Sequence, residues 1–189
     1  MAQMITEGVI SVEYVNHCSS EQEICKIAGL SHGSRKGPTI GNLLAWGHLS
    51  PFEFASITYK IQCPIFVARQ LMRHRTGHYL EKSLRYCEAE PVVHHVLDEE
   101  AEKLCLQAFE TYHSLLDKGF DREDARSVLP VGTYTEFYAQ YDLKNLINLL
   151  RQRLASNAQA ETRKVAQQMA LILSEHFPTV ANAIIMEVE

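Results

Sequence analysis

The sequence predicts an α+β fold in one domain: a small antiparallel or mixed sheet covered by long helices. Three observations carry this. Gly8–His17 and Phe54–Cys63 alternate with period two and are rich in β-branched residues. Asp98–Leu116 and Leu143–His176 carry helical periodicity over longer spans. Two or three long strands are too few to stand alone, so the helices must cover them.

In the first strand, Val9, Ser11, Glu13 and Val15 oppose Ile10, Val12 and Tyr14. Ser20 followed by Glu23 is a capping-box pattern, which predicts a helix to about Ala28. Ser31–Pro38, with two glycines and a proline, predicts a mobile surface loop. It lacks the Gly-Lys-Ser/Thr of a phosphate-binding P-loop. Thr39–Gly47 forms a short helix, and His48–Pro51 turns the chain. In the second strand, Phe54, Ser56, Thr58 and Lys60 oppose Ala55, Ile57, Tyr59 and Ile61. Pro64 suits the first turn of a helix running to Arg73, with Ile65, Val67, Ala68, Leu71 and Met72 as its apolar face and Gly77 as the stop. Asp98 is the expected N-cap of the helix to Leu116. Asp121 opens a short helix whose Glu123 and Asp124 complement the helix dipole. Leu129–Gly132 breaks it, and Tyr134–Tyr138 is the third candidate strand. Leu143–His176 is helical with an interruption near Ala155–Asn157. No repeat, low-complexity tract or linker divides the chain.

At 189 residues the chain can bury a substantial core. Its 46% hydrophobic and 22% charged content are ordinary for a globular protein in water. A formal net charge of −5 argues against a molecule that clings as a whole to nucleic acid or anionic membrane. No run of about 18 apolar residues occurs, so no helical membrane span is expected. The first residues have neither a basic stretch nor an apolar run, so no signal peptide is expected either. Cys18, Cys25, Cys63, Cys87 and Cys105 are odd in number and contain no Cys-x-x-Cys. They predict reduced thiols in a cytoplasmic protein, without a disulfide framework or zinc site.

Against this acidic background, residues 73–85 read Arg-His-Arg-Thr-Gly-His-Tyr-Leu-Glu-Lys-Ser-Leu-Arg. Guanidinium forks match phosphate and carboxylate geometry, so this density suggests an anionic, hydrogen-bonding ligand such as a nucleotide. A solvated basic face is the commoner fate of a charge run. The interleaved Glu81 and Ser83, with Gln70 upstream, favour shape-specific recognition, since a plain basic patch needs only charge.

The same stretch resembles the Arg-His-Arg, seven residues, Ser signature of flavin-dependent thymidylate synthases, with Arg73, His74, Arg75 and Ser83 in register. His48-Leu49-Ser50-Pro51-Phe52-Glu53 is similar to the family's His-x-Ser/Thr-Pro-Phe-Glu element. Arg153, Asn157, Ala158-Gln159, Glu161 and Arg163 resemble its C-terminal Arg-x4-Ala-Gln-x-Glu-x-Arg helix. The likeness covers roughly Val12 to Ala166.

The resemblance implies an enzyme that converts dUMP to dTMP. Methylenetetrahydrofolate would be the carbon donor and reduced FAD the hydride donor, with NADPH regenerating the flavin. It also implies a homotetramer with active sites shared between subunits. Arg73, His74, Arg75, His48, Ser50, Glu53, Arg153 and Asn157 would hold the flavin. Gln70, Glu81, Ser83, Arg85, Tyr86 and Arg163 would hold the nucleotide, with Arg163 and Ser83 as the catalytic candidates. Chemically, Arg85 can take the 5′-phosphate bidentately and an ionised Glu81 can accept from the sugar hydroxyl. Arg153 and Asn157, four apart, would share a helix face, with Arg163 on the next turns.

Other readings stand beside these. Arg153 and Arg163 could be snorkelling surface arginines, Glu53 an exposed strand position, and Tyr86 a core residue. Phe54 stands where the family often has histidine, His78 where it has a small polar residue, Leu80 where it has asparagine, and Leu84 where it has glycine or alanine. These departures motivate a second reading, a relative that binds FAD or a pyrimidine nucleotide but is inactive or modifies another pyrimidine nucleotide. His74, His78 and Glu81 outline a metal triad, but Arg73 and Arg75 would repel a divalent cation, so no metal is expected. Cys87 has no neighbouring base and reads as a structural thiol. A nucleic-acid binder stacking on Tyr79 and Tyr86 is opposed by the net charge.

Overall fold

The computed structural model describes residues 6–31, 33, 36–94 and 97–188. Its chain order is β1 Thr6–Glu7, β2 Ser11–Cys18, α1 Glu21–Leu30, α2 Ile40–Ala45, a 3-10 turn at Ser50–Phe54, β3 Ser56–Pro64, α3 Ile65–Leu71, β4 His78–Glu81 and β5 Val92–Val93. There follow α4 Glu99–Asp117, α5 Arg122–Ala125, a 3-10 turn at Arg126–Val128, β6 Tyr134–Asp142, α6 Leu143–Leu154, α7 Ala160–His176 and α8 Pro178–Val188. The expected α+β class is the observed one.

The main sheet has the order β2-β3-β6-β4, every pair antiparallel. β1 and β5 form a separate parallel pair. Period two puts Ile57, Tyr59, Ile61 and Cys63 of β3, with Phe137, Ala139 and Tyr141 of β6, on one buried face. Leu146, Leu149 and Leu150 of α6, Val165, Met169 and Leu173 of α7, and Val180 and Ile184 of α8 complete that core. Each such side chain contributes about 1.5–3 kcal/mol by leaving water. The opposite face is polar, with a Lys60–Glu136 ion pair at 2.9 Å between β3 and β6. A second, smaller cluster packs Phe109 and Tyr112 of α4 against Ala89, Val93 and Ala125.

Several boundaries differ from expectation. The first strand starts at Ser11, not Gly8, because the backbone before it is committed elsewhere: Gly8 N–H donates to Val93 (2.9 Å) and Tyr134 Oη donates to the Gly8 carbonyl (2.7 Å). Ser20 caps α1 through Glu23 N–H, but the Glu23 carboxylate pairs with Lys26. The helix after Pro64 stops at Leu71, not Arg73. Gly77 is not its stop: it sits in a turn where a Cβ would fall 2.5 Å from the Tyr141 ring and 2.7 Å from Tyr79 Oη. The third strand runs on to Asp142, because β3 pairs along its full length.

Besides the short β1–β5 pair, two elements were not expected. β4 lies inside the basic signature, where pairing with Phe137–Gln140 of β6 supplies its ladder and Tyr79 packs beside Phe137 and Tyr141. α8 follows Pro178, and the Glu21 carboxylate of α1 accepts from Thr179 N–H, Thr179 Oγ1 and Val180 N–H at 2.7, 2.7 and 3.0 Å. A long-range carboxylate thus caps that helix. Of the expected 31–38 loop, His32, Ser34 and Arg35 lie outside the described residues. Gly37 (φ +65°) approaches α1 so closely that a Cβ would fall 1.7 Å from the Cys25 carbonyl oxygen.

Candidate active site

A hydrogen-bonded polar cluster lies where α3 meets the break between α6 and α7. Arg153, in the last turn of α6, donates from Nε to His74 Nε2 at 3.1 Å and from Nη2 to the Gln70 carbonyl at 3.2 Å. A guanidinium can only donate, so His74 Nε2 accepts and the ring is neutral. Burial, and then the Arg153 charge, hold the His74 pKa below its ordinary value. Thr162 is fully buried on α7 and donates to Gln70 Oε1 at 3.1 Å. Gln70 Nε2 donates in turn to Gln159 Oε1. Sequence reasoning missed Thr162, although it stands inside the C-terminal motif, one residue before Arg163.

α6 ends at Leu154 and α7 begins at Ala160, so Asn157 lies in the connecting turn and does not share a helix face with Arg153. Arg163 folds back over this turn, donating from Nη1 to the carbonyls of Ser156 (2.9 Å) and Ala158 (3.1 Å). Neither Arg153 nor Arg163 is a free surface arginine. Arg73, Arg75 and Asn157 are exposed and have no hydrogen bond or ion pair among the described residues. Their donors are open to a ligand.

A second group surrounds a cavity of about 500 Å³ lined by Glu81, Ser83, Glu123, Arg126, Ser127 and Thr135, among others. Glu81 accepts from Thr135 Oγ1 at 2.7 Å. Arg85 Nε is 2.5 Å from Glu123 Oε2, and its guanidinium lies 5.7 Å from the Tyr86 ring. Tyr86 is 75% exposed, which removes the core reading. Leu84 has no positive φ and packs against the cluster around Phe109 and Tyr112, so its side chain points into protein. Arg126 was not singled out from the sequence. The one signal was a cation three residues after Glu123 and three before the Leu129–Gly132 break.

His48 and Ser50 line a third cavity, of about 520 Å³, with Gly47, Pro51 and Lys144. Glu53 is not on a strand: it sits in the 3-10 turn and pairs with Lys144. Phe54 and His78 are exposed, and Leu80 is 71% exposed on the outer face of β4. The expected site residues therefore fall into three groups on one chain: around Gln70 and His74, around Ser83, and around His48. No helix among the described residues is long and apolar enough to cross a membrane.

Comparison with known proteins bears on this arrangement. The family model described as thymidylate synthase complementing protein (Thy1) matches residues 7–179. A flavin-dependent thymidylate synthase of Thermus thermophilus is 35% identical over 88% of this chain and 72% of its own length. One from Pseudothermotoga lettingae is 36% identical over 89% of this chain and 85% of its own. Among solved structures, a UMP/dUMP methylase, PolB, from Streptomyces cacaoi bound with 5-Br dUMP superposes with a TM-score of 0.86. Its identity is 30%, covering 96% of this chain and 97% of that one. The chain belongs to the flavin-dependent thymidylate synthase family and is an enzyme of that family.

Proposed function

We propose that this enzyme methylates dUMP to dTMP in the cytoplasm as a homotetramer with shared sites, using methylenetetrahydrofolate as carbon donor and FAD reduced by NADPH. The observation that carries the reading is the separation of the bonded group around Gln70 from the cavity lined by Ser83, Arg126 and Lys82 together with Glu81 and Glu123. Each part suits one end of a nucleotide, and apposition of copies would complete the site.

The residues present fit a flavin with a phosphorylated tail. Arg73 and Arg75 offer guanidinium groups without protein partners among the described residues, and His48, Ser50 and Lys144 border a cavity. His74 and Arg153, locked to one another, would meet the flavin as a rigid pair. When bound, the flavin supplies the hydride that completes the methyl group.

For the nucleotide, Arg126, Ser83 and Arg85 would hold the phosphate, and Glu81 would accept from the sugar hydroxyl. Glu123 must release Arg85, or share it, when the phosphate arrives. Gln70 would read the imide edge of the base, with Tyr86 covering the substrate. Arg163 would stabilise negative charge on the pyrimidine as C5 becomes nucleophilic, a donor role commonly worth ~3 kcal/mol. Its Nε and Nη2 donors are free of the two carbonyls that hold Nη1.

The test is direct. The purified protein should be yellow, bleach with NADPH, and form dTMP from dUMP and methylenetetrahydrofolate. UMP belongs in the same assay, because the structurally similar methylase is described for both UMP and dUMP. A colourless protein that binds neither flavin nor dUMP would end this reading.

A further inference from the structure

One carboxylate of the cavity around Ser83 is held by a hydroxyl and not by a cation. Lys82 pairs with Glu90 and Arg85 with Glu123, whereas Glu81 makes no ion pair among the described residues. Its partner is Thr135, whose Oγ1 donates to Glu81 Oε1 at 2.7 Å. A carboxylate ion only accepts, so the polarity of that bond is fixed. The strands explain why the two meet. Glu81 is the last residue of β4 and lies opposite Phe137 of β6. Lys82 then donates its N–H to the Glu136 carbonyl at 2.8 Å, so the backbone stays tied to β6 just past Glu81. Thr135 comes two residues before Phe137 on the same face of β6, within diagonal reach of a long side chain. It is 9% exposed and directly opposite the buried Cys63 of β3. Packing and its β-branch hold Thr135 to one rotamer. Glu81, by contrast, is exposed, and the ladder leaves its side-chain torsions unset. The Thr135 hydroxyl sets them.

We propose that Thr135 is a positioning residue: its hydroxyl holds the Glu81 carboxylate at the cavity wall, where that carboxylate takes the 3′-hydroxyl of a deoxyribonucleotide. The proposal rests on the reading that Glu81 meets the sugar. A 5′-monophosphate of 2′-deoxyribose has one free sugar hydroxyl, at C3′, so one well-placed acceptor satisfies it. Thr135 uses one of the about four lone-pair sites of the carboxylate and leaves the rest open to a ligand. Glu81 and Thr135 line the same cavity of about 500 Å³, and so do Lys82 and Arg126. A carboxylate released from Thr135 would be drawn toward those cations. Each rotamer lost to them is one in which the sugar hydroxyl finds no acceptor. Holding Glu81 beforehand therefore removes an ordering cost from binding.

The experiment measures binding of dUMP and of 2′,3′-dideoxyuridine 5′-monophosphate to the flavin-loaded enzyme by titration calorimetry. The two ligands differ only in the 3′-hydroxyl, so their affinity ratio reads that group alone. Wild type should prefer dUMP about 20-fold, the size expected for one hydrogen bond to a charged group. Thr135→Val, which suits a buried strand position, should cut the preference to about threefold by weakening dUMP. Thr135→Ser keeps the hydroxyl and should retain most of the preference. Glu81→Ala should abolish it. If T135V keeps the wild-type ratio, or weakens both ligands equally, the inference is wrong, while loss of the ratio in E81A leaves the sugar reading standing. If wild type itself shows no preference for dUMP, that reading falls and the positioning role falls with it. Thr135→Ala set against Thr135→Ser carries the test should T135V fail to fold. Equal ratios in those two variants also overturn the proposal.

Discussion

The two ends of the candidate nucleotide site are built differently. Around Gln70, the side chains of His74, Arg153 and Thr162 are half-buried or buried, and without any ligand Arg153 bonds His74 and Thr162 bonds Gln70. Around Ser83, Arg85 is exposed and paired with Glu123, and the neighbouring cations Arg122 and Lys82 are exposed and paired with Glu88 and Glu90. Exposed pairs of this kind contribute about 0–1 kcal/mol each and are screened by salt. The base end is therefore preorganised, and the phosphate end can be rearranged at little cost. Orientation-sensitive chemistry needs the first property; capture of a dianion needs only the second.

The largest expected effect breaks the base end. Arg163→Ala should lower dTMP formation about 100-fold, or ~3 kcal/mol of transition-state stabilisation, with dUMP affinity nearly kept. Turnover close to wild type with intact nucleotide binding would remove that role. Next comes Arg153→Gln, which deletes the donor to His74 and the Gln70 carbonyl. Flavin retention measured by absorbance should weaken roughly tenfold, as for loss of a charged hydrogen bond. In the same variant the His74 pKa, followed by NMR, should rise only part of the way toward its ordinary value, because burial is the larger cause and remains.

A smaller effect concerns acid. His74 has its native pKa lowered, so below the unfolded value of about 6.5 the unfolded chain binds a proton that the native chain resists. Its stabilising effect is present at neutral pH and is lost as pH falls below that point. The urea midpoint should drop between pH 7.5 and 5.5, and His74→Gln should flatten that drop. An equal slope in the variant would assign the dependence elsewhere.

The smallest expected change in stability belongs to the phosphate end. Glu123→Gln should alter unfolding free energy by no more than about 1 kcal/mol, since both partners of the Arg85 pair are largely exposed. The same substitution removes a negative charge from the cavity wall and should tighten dUMP a few-fold at low salt. Weakened dUMP binding would mean that Glu123 serves to aim Arg85, and would erase the contrast between the two ends.

How much was legible beforehand differs in the same way. Ile57, Tyr59 and Ile61 were read as one strand face, and all three are buried, because alternation records directly which side meets water. Asp98 was read as an N-cap and accepts from Ala101 N–H at 2.8 Å. β4 was hidden inside a charged motif whose composition suits a loop; only its partner β6 makes it a strand. The start of α8 was missed because its capping carboxylate is Glu21, far away in the chain. Arg126 escaped notice since a single arginine among acidic residues looks like any solvated cation until the cavity is seen.

By itself, the order of residues determined the α+β class, the inward face of β3, the helix starts at Ser20, Thr39 and Asp98, and three motifs in the family's order. These properties are local: they depend on periodicity, capping and short spacing, which neighbouring residues settle among themselves. Only the tertiary structure decided that Thr162 and Gln159 grip Gln70, that Arg153 pins His74, and that Arg126 and Ser83 line one cavity. Those pairings join distant segments, and they come into being only when packing of helices on the sheet brings their backbones within hydrogen-bond reach.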